Sequence, residues 1–186
     1  MSDSSHSMFV RDIMSVNVVT MPPDATVFDV ATSMTKMDIG SIVIVAKEHP
    51  LGIITESDIV RRVIAEERDA KTTAARDIMS SPIIHVEPGT ALTEAMRVMA
   101  RSNIRRVAVL KNNSLAGIIT SRDLLRWSPE LIDILVESLR LRSDGVERQE
   151  VEDEDITYGG ECDSCGEYST DLIEEDGEYL CENCRS

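Results

Sequence analysis

Moved along itself by 65 positions, the sequence matches itself without a gap. Arg11-Asp12-Ile13-Met14-Ser15 falls on Arg76-Asp77-Ile78-Met79-Ser80. Pro23 falls on Pro88, Met34 on Met99 and Ile39 on Ile104. Gly52-Ile53-Ile54-Thr55 falls on Gly117-Ile118-Ile119-Thr120, and Asp58 and Arg61 fall on Asp123 and Arg126. Between 11 and 61, 14 of 51 positions are identical, where background composition gives about three. A duplication of this length constrains the fold more than any composition does. Two copies of one supersecondary unit are expected to pack about a pseudo-twofold axis.

Each copy reads in the same order. A short β-branched run at 18–21 is broken by Pro22-Pro23. A helix follows to about Asp38, with Val27, Val30, Ala31 and Met34 on one face. Leu92, Ala95, Met96 and Met99 take those places in the second copy. Residues 42–46 and 107–110 are continuous apolar strands. Glu48-His49-Pro50 and Asn112-Asn113-Ser114 read as turns, and 51–54 and 115–119 as the next strands. A second helix starts after Thr55 and after Thr120. The expected class is α+β, β-α-β-β-α twice, with copies at 8–68 and 74–127. Aromatics are only 3% of the chain, so the core must be aliphatic, and five methionines fill it as adaptable packing.

This order, with the Arg-Asp-Ile-Met-Ser lead-in and the Gly-Ile-Ile-Thr-x-x-Asp turn from strand to helix, resembles the cystathionine-β-synthase (CBS) domain. Two in tandem resemble a Bateman module. The resemblance covers about residues 8–127. It implies a disc-like regulatory module, often dimeric, that binds AMP, ADP, ATP or S-adenosylmethionine in clefts between the copies and has no catalytic role.

Thr55-x-x-Asp58 and Thr120-x-x-Asp123 read first as helix capping boxes. A first helical turn also offers free N–H groups to an anion, and a carboxylate beside it suits ribose hydroxyls. In the family this Asp holds the ribose and this Thr sits near the sugar or phosphate. Ile104-Arg105-Arg106 opens the second-copy strand where the first copy has Ile39-Gly40-Ser41. Two arginines there are either a solvated strand end or a phosphate clamp. The resemblance groups Thr55 and Asp58 with Ile84, Ile104, Arg105 and Arg106, with Arg122 closing the cleft. It groups Thr120 and Asp123 with Val19, Ile39, Gly40 and Ser41. At roughly 1.5–3 kcal/mol per charge-assisted hydrogen bond, the two arginines are expected to make the first group prefer a phosphorylated ligand by about two or more orders of magnitude. His85 reads as a strand-end histidine, and His6 and His49 fall in segments with no expected role.

Ser128-Pro129-Glu130 is a helix start, and Leu131, Leu135 and Leu139 make a stripe along a connecting helix at 128–143. An acidic linker at 144–157 follows. Then come Cys162-Asp-Ser-Cys165-Gly166 and Cys181-Glu-Asn-Cys184, two C-x2-C pairs 15 residues apart. Each pair forms a knuckle whose thiolates point at one ion, and a hairpin through Asp176-Gly177 joins them. Gly166 supplies a positive φ after the second ligand. Residues 158–186 carry too little apolar mass to fold without a staple. The alternative is two disulfides; no secretory signal and no other cysteines argue for metal. The segment resembles a zinc ribbon or the knuckles of a rubredoxin, holding one zinc or iron ion per chain.

Charge separates the two parts. The chain has 19 basic and 34 acidic residues, and 144–186 alone carries 16 acidic against 2 basic. That tail repels a polyanion, which argues against nucleic acid. No apolar run approaches the roughly 18 residues of a membrane span. No nucleophile–base pair, carboxylate dyad or open metal position is present, so the chain reads as a non-enzyme. The expectation is a cytoplasmic, homodimeric sensor of adenosyl ligands whose ribbon contacts a protein partner. The dimer would pair through the helices carrying Ile59, Val60, Val63, Leu124 and Leu125. The alternatives are a rubredoxin-like electron carrier under nucleotide control and a transcription regulator.

Overall fold

The computed structural model describes residues 8–127 and 156–185. The expected connecting helix at 128–143 and nearly all of the linker at 144–157 lie outside them. In chain order the elements are α1 (Val10–Ile13), β1 (Thr20–Met21), α2 (Val27–Met37), β2 (Ser41–Ala46), β3 (His49–Thr55), α3 (Glu56–Ile59), β4 (Ile83–Val86), α4 (Leu92–Arg101), β5 (Arg106–Lys111), β6 (Ser114–Thr120), α5 (Ser121–Trp127), β7 (Thr157–Glu161), β8 (Tyr168–Glu175) and β9 (Glu178–Leu180). A π-helical turn, Val60–Ile64, continues α3, and a 3-10 turn spans Ala75–Asp77. The class is mixed α+β, as the sequence reads.

The chain divides into two compact units, and they cut across the sequence repeats. Among the described residues, the first-repeat unit holds 17–84, 112–115 and 157–185, and the second-repeat unit holds 8–16, 85–111, 116–127 and 156.

In the first-repeat unit, β2 lies between a parallel β1 and an antiparallel β3, with Ser41 opposite Thr55. Helix α2 begins where the Thr26 hydroxyl accepts the Asp29 N–H at 3.1 Å. It ends at Asp38 in the left-handed region, φ 54°. Val27, Val30 and Met34 are buried, whereas Ala31 is half-buried. They pack with Ile42, Ile44, Ile54, Val63, Ala75 and Ile78 into one aliphatic core. Burying such a side chain contributes roughly 1.5–3 kcal/mol. The β2–β3 turn sits one residue earlier than the sequence suggests. Lys47 and Glu48 take positive φ (49° and 71°), and His49 and Pro50 already belong to β3.

Ala75 and Ile78 come from the lead-in of the second copy. Ala75 N–H donates to Ala25 O at 2.8 Å and Arg76 N–H to Pro23 O at 3.0 Å. Ser80 and Ile53 exchange both backbone hydrogen bonds. The second-repeat unit mirrors this with the other lead-in. Val10 N–H donates to Thr90 O at 2.9 Å, Arg11 N–H to Pro88 O at 3.0 Å, and Ser15 exchanges both bonds with Ile118. Each lead-in therefore completes the copy it does not precede. Gly52 and Gly117 permit the approach. A Cβ on Gly52 would lie 2.7 Å from Ser80 O, and one on Gly117 2.9 Å from Ser15 O.

In the second-repeat unit β5 runs between β4 and β6, parallel to β4. Helix α4 buries Leu92, Ala95, Met96, Val98 and Met99. His85 is 6% exposed within β4, a strand position as expected.

The ribbon is a three-stranded antiparallel meander, β7-β8-β9. Asp176 and Gly177 take φ 51° and 89° at the β8–β9 turn, and Gly166 takes 73°, as the sequence requires. The ribbon is not a free appendage. The Tyr168 ring stacks on His49 at 4.4 Å and 17°, and its hydroxyl donates to Pro50 O at 3.2 Å. The Thr170 hydroxyl bonds Asn113 at 3.0 Å, and Gly160 backs onto Pro82. His49, read from sequence as having no role, is half of this seat.

Candidate functional site

The two acidic turns form at the junctions β3–α3 and β6–α5. At the first, Asp58 Oδ2 accepts the Thr55 N–H at 2.8 Å and the Thr55 hydroxyl at 2.6 Å. The Thr55 oxygen in turn accepts the Asp58 N–H at 3.3 Å. At the second, the same three bonds join Thr120 and Asp123 at 2.9, 2.6 and 3.3 Å. The capping boxes are real, and each consumes one carboxylate oxygen.

The strand starts meet their own turns. Glu56 N–H donates to Gly40 O at 3.4 Å, and Ser121 N–H donates to Arg105 O at 2.9 Å. Gly40 and Ser41 thus stand beside Thr55, and Arg105 beside Thr120. Arg105 and Arg122 are exposed; Val19, Ile39, Gly40, Ile84, Ile104 and Arg106 are half-buried. A groove of about 490 Å³ in the first-repeat unit is lined by Met34, Asp38, Ile39, Gly40, Glu56 and Ile59, among others.

The remaining oxygen of Asp58 is held by residues the sequence reading passed over. Oδ1 accepts the Ser80 hydroxyl at 3.3 Å and lies 3.7 Å from the Arg62 guanidinium. The signal was available, since Arg62 stands four residues after Asp58, one helical turn on.

In the ribbon, the four sulfurs of Cys162, Cys165, Cys181 and Cys184 lie within 4.8 Å of one another. None forms a disulfide. Cys165 and Cys181 are 3.8 Å apart, and a tetrahedral thiolate site with about 2.3 Å metal–sulfur bonds has edges of about 3.8 Å. The knuckles are held by backbone bonds, Gly166 N–H to Cys162 O and Cys184 N–H to Cys181 O, both 2.9 Å. Backbone N–H groups of Cys165 and Cys181, outweighing burial, bring the Cys162 thiol down to about 6. At Cys165 the Glu167 N–H pulls downward. Desolvation and the other three thiols outweigh it and push Cys165 up to about 12. One thiolate forms readily and the next is opposed, a conflict that a bound cation removes. The donor set fits a metal ion.

Two stretches, 10–65 and 75–130, match the CBS domain family. The chain belongs to that family and carries its domain as a tandem pair. An uncharacterized protein of Methanopyrus kandleri is 36% identical over 180 residues, covering 96% of this chain and 91% of that protein. A hexameric CBS-CP12 protein from bloom-forming cyanobacteria is 30% identical, with a TM-score of 0.63, over 81% of this chain and 82% of that one. A CBS domain pair solved with 5-methylthioadenosine and S-adenosyl-L-methionine is 25% identical, with a TM-score of 0.60, over 66% of this chain and 97% of that one.

Proposed function

We propose that this chain is a cytoplasmic, non-catalytic regulatory sensor that binds an adenosyl ligand (AMP, ADP, ATP or S-adenosylmethionine) through the Thr55–Asp58 and Thr120–Asp123 turns. The observation that carries the reading is the duplicated carboxylate, fixed by its own capping box at the start of a helix in both copies. A carboxylate held this way accepts hydroxyls of a ribose without having to be ordered first. Val19, Ile39, Gly40, Ile84 and Ile104 offer apolar and backbone contacts for the base. Arg105, Arg106 and Arg122 are the cations for a phosphate or a carboxylate tail. The solved relative with methylthioadenosine and S-adenosylmethionine supports the ligand class. Calorimetry of the full chain with AMP, ATP and S-adenosylmethionine tests it, and heat from none of the three sinks it.

Cys162, Cys165, Cys181 and Cys184 would hold one ion per chain, zinc in the first instance, and the ribbon would serve contact with a protein partner. The ion supplies a structural cross-link. Iron in the site would show thiolate-to-iron absorption and would favour electron transfer instead. The acidic ribbon surface opposes a nucleic-acid role. Assembly into a homodimer would use the exposed apolar residues: Phe28, Val60 and Ile64 in the first-repeat unit, Leu125 and Trp127 in the second. Val63 and Leu124, expected among them, are fully buried and belong to the cores. The cyanobacterial hexamer supports self-association, and sedimentation at micromolar concentration measures it.

A further inference from the structure

The two acidic turns are alike in the oxygen that caps the helix and unlike in the other one. Asp58 Oδ1 is occupied by the Ser80 hydroxyl and faced by Arg62. Arg62 is itself fixed. Its Nη1 donates to Ile78 O at 2.7 Å and Met79 O at 2.9 Å, and its Nη2 to the Ser80 hydroxyl at 3.3 Å. The repeat places Trp127 at the position of Arg62, and Trp127 is 57% exposed. No cation therefore stands four residues after Asp123. Among the described residues, Asp123 Oδ1 has no hydrogen-bond partner. The cations of this turn lie elsewhere: Arg122 is adjacent, and the Arg105 carbonyl accepts from Ser121.

We propose that Arg62 is the residue that ranks the two turns: it latches Asp58 shut and leaves Asp123 as the principal ribose acceptor. The proposal rests on the adenosyl reading above and reverses the ranking that the arginine pair suggests from sequence. A vicinal diol reaching Asp58 Oδ1 must displace the Ser80 hydroxyl and share the oxygen with a guanidinium that three further bonds hold in place. At Asp123 Oδ1 it displaces no hydrogen bond from any described residue. An acceptor already satisfied by protein donors gains little from a new donor, since one hydrogen bond replaces another.

The test is calorimetry of the full chain with AMP. Asp→Asn variants are used because the amide oxygen can still accept the Thr N–H of the cap. D123N is expected to weaken the stronger binding event by about tenfold or more, the size of a lost charge-assisted bond, and D58N to change it less than about twofold. R62M is expected to strengthen a second, weaker event about tenfold, and adding D58N should remove that gain. W127R, at an exposed site outside the core, should install the latch on Asp123 and weaken the stronger event; W127M, which removes the same indole from the dimer face without adding a cation, is its control and should leave that event unchanged. Loss of the stronger event in D58N, or an unchanged second event in R62M together with unchanged binding in W127R, overturns the proposal while leaving the adenosyl reading intact. Absence of heat from AMP, ATP and S-adenosylmethionine in both wild type and R62M overturns both.

Discussion

The first repeat and the ribbon share one compact unit and stand by different physics. The repeat buries nine apolar side chains in one cluster, from Val27 on α2 to Ile78 in the exchanged lead-in. The ribbon's buried cluster is Leu172 with two of its own cysteines, Cys162 and Cys181. One part is held by hydrocarbon removed from water; the other gathers four sulfurs that could hold a metal ion. The seat of Tyr168 on His49 joins them, so the two modes of stability are coupled at a named place.

Removing the metal, or replacing Cys162 with Ser, should break the comparison most severely. Metal–thiolate binding supplies on the order of 10–16 kcal/mol in small zinc domains, and the small cluster around Leu172 is too little apolar surface to offset its loss. Amide dispersion of β7, β8 and β9 should collapse, and α4 and β5 should keep theirs. His49, Pro50 and Asn113 should shift with the ribbon, because they form its seat. A ribbon that stays dispersed without metal contradicts the staple. Ile54→Ala works on the other side. It should lower repeat stability by about 2–5 kcal/mol and leave metal affinity unchanged, as read by denaturant melts alongside metal competition.

Gly52→Ala should cost about 1–3 kcal/mol, since its Cβ would collide with the Ser80 carbonyl. Its effect should appear as faster hydrogen exchange at Ile53 and Ser80. The smallest change is at the seat. Tyr168→Phe loses the bond to Pro50 O and should cost about 1 kcal/mol. Burial pushes the Tyr168 phenol up to about 12, against about 10 for a free tyrosine. The neutral form is therefore the docked one. Its contribution is complete below about pH 10 and lost as pH rises towards 12. Burial and the Glu174 carboxylate push the Tyr179 phenol up as well, so ultraviolet titration should find one fewer late-ionising phenol in Tyr168→Phe than in the wild type.

Much of this was written in the sequence where the signal is local. The β-α-β-β-α order follows from hydrophobic period and turn residues, and the four cysteines announce their cluster by spacing alone. Asn112-Asn113 and Asp176-Gly177 mark turns that demand positive φ, and both occur there. What stayed hidden is non-local. A lead-in of the same five residues fits either copy, so the identity of its partner cannot be read from the residues that match. His49 beside a turn looks free until a tyrosine more than a hundred residues away covers it. The difference at Arg62 and Trp127 is visible once the copies are aligned. Its meaning needs the carbonyls of Ile78 and Met79 in place.

The crossed lead-ins also bear on descent. A chain of one such repeat would leave its own β3 edge unpaired and its own lead-in without a strand to meet. Two copies of that chain could satisfy both needs only by trading lead-ins, which is a domain-swapped dimer. Duplication with a linker would then fuse the swapped partners and keep the trade. A fragment cut between the repeats should accordingly regain order only when two halves find each other, and the natural boundary of folding here is the pair.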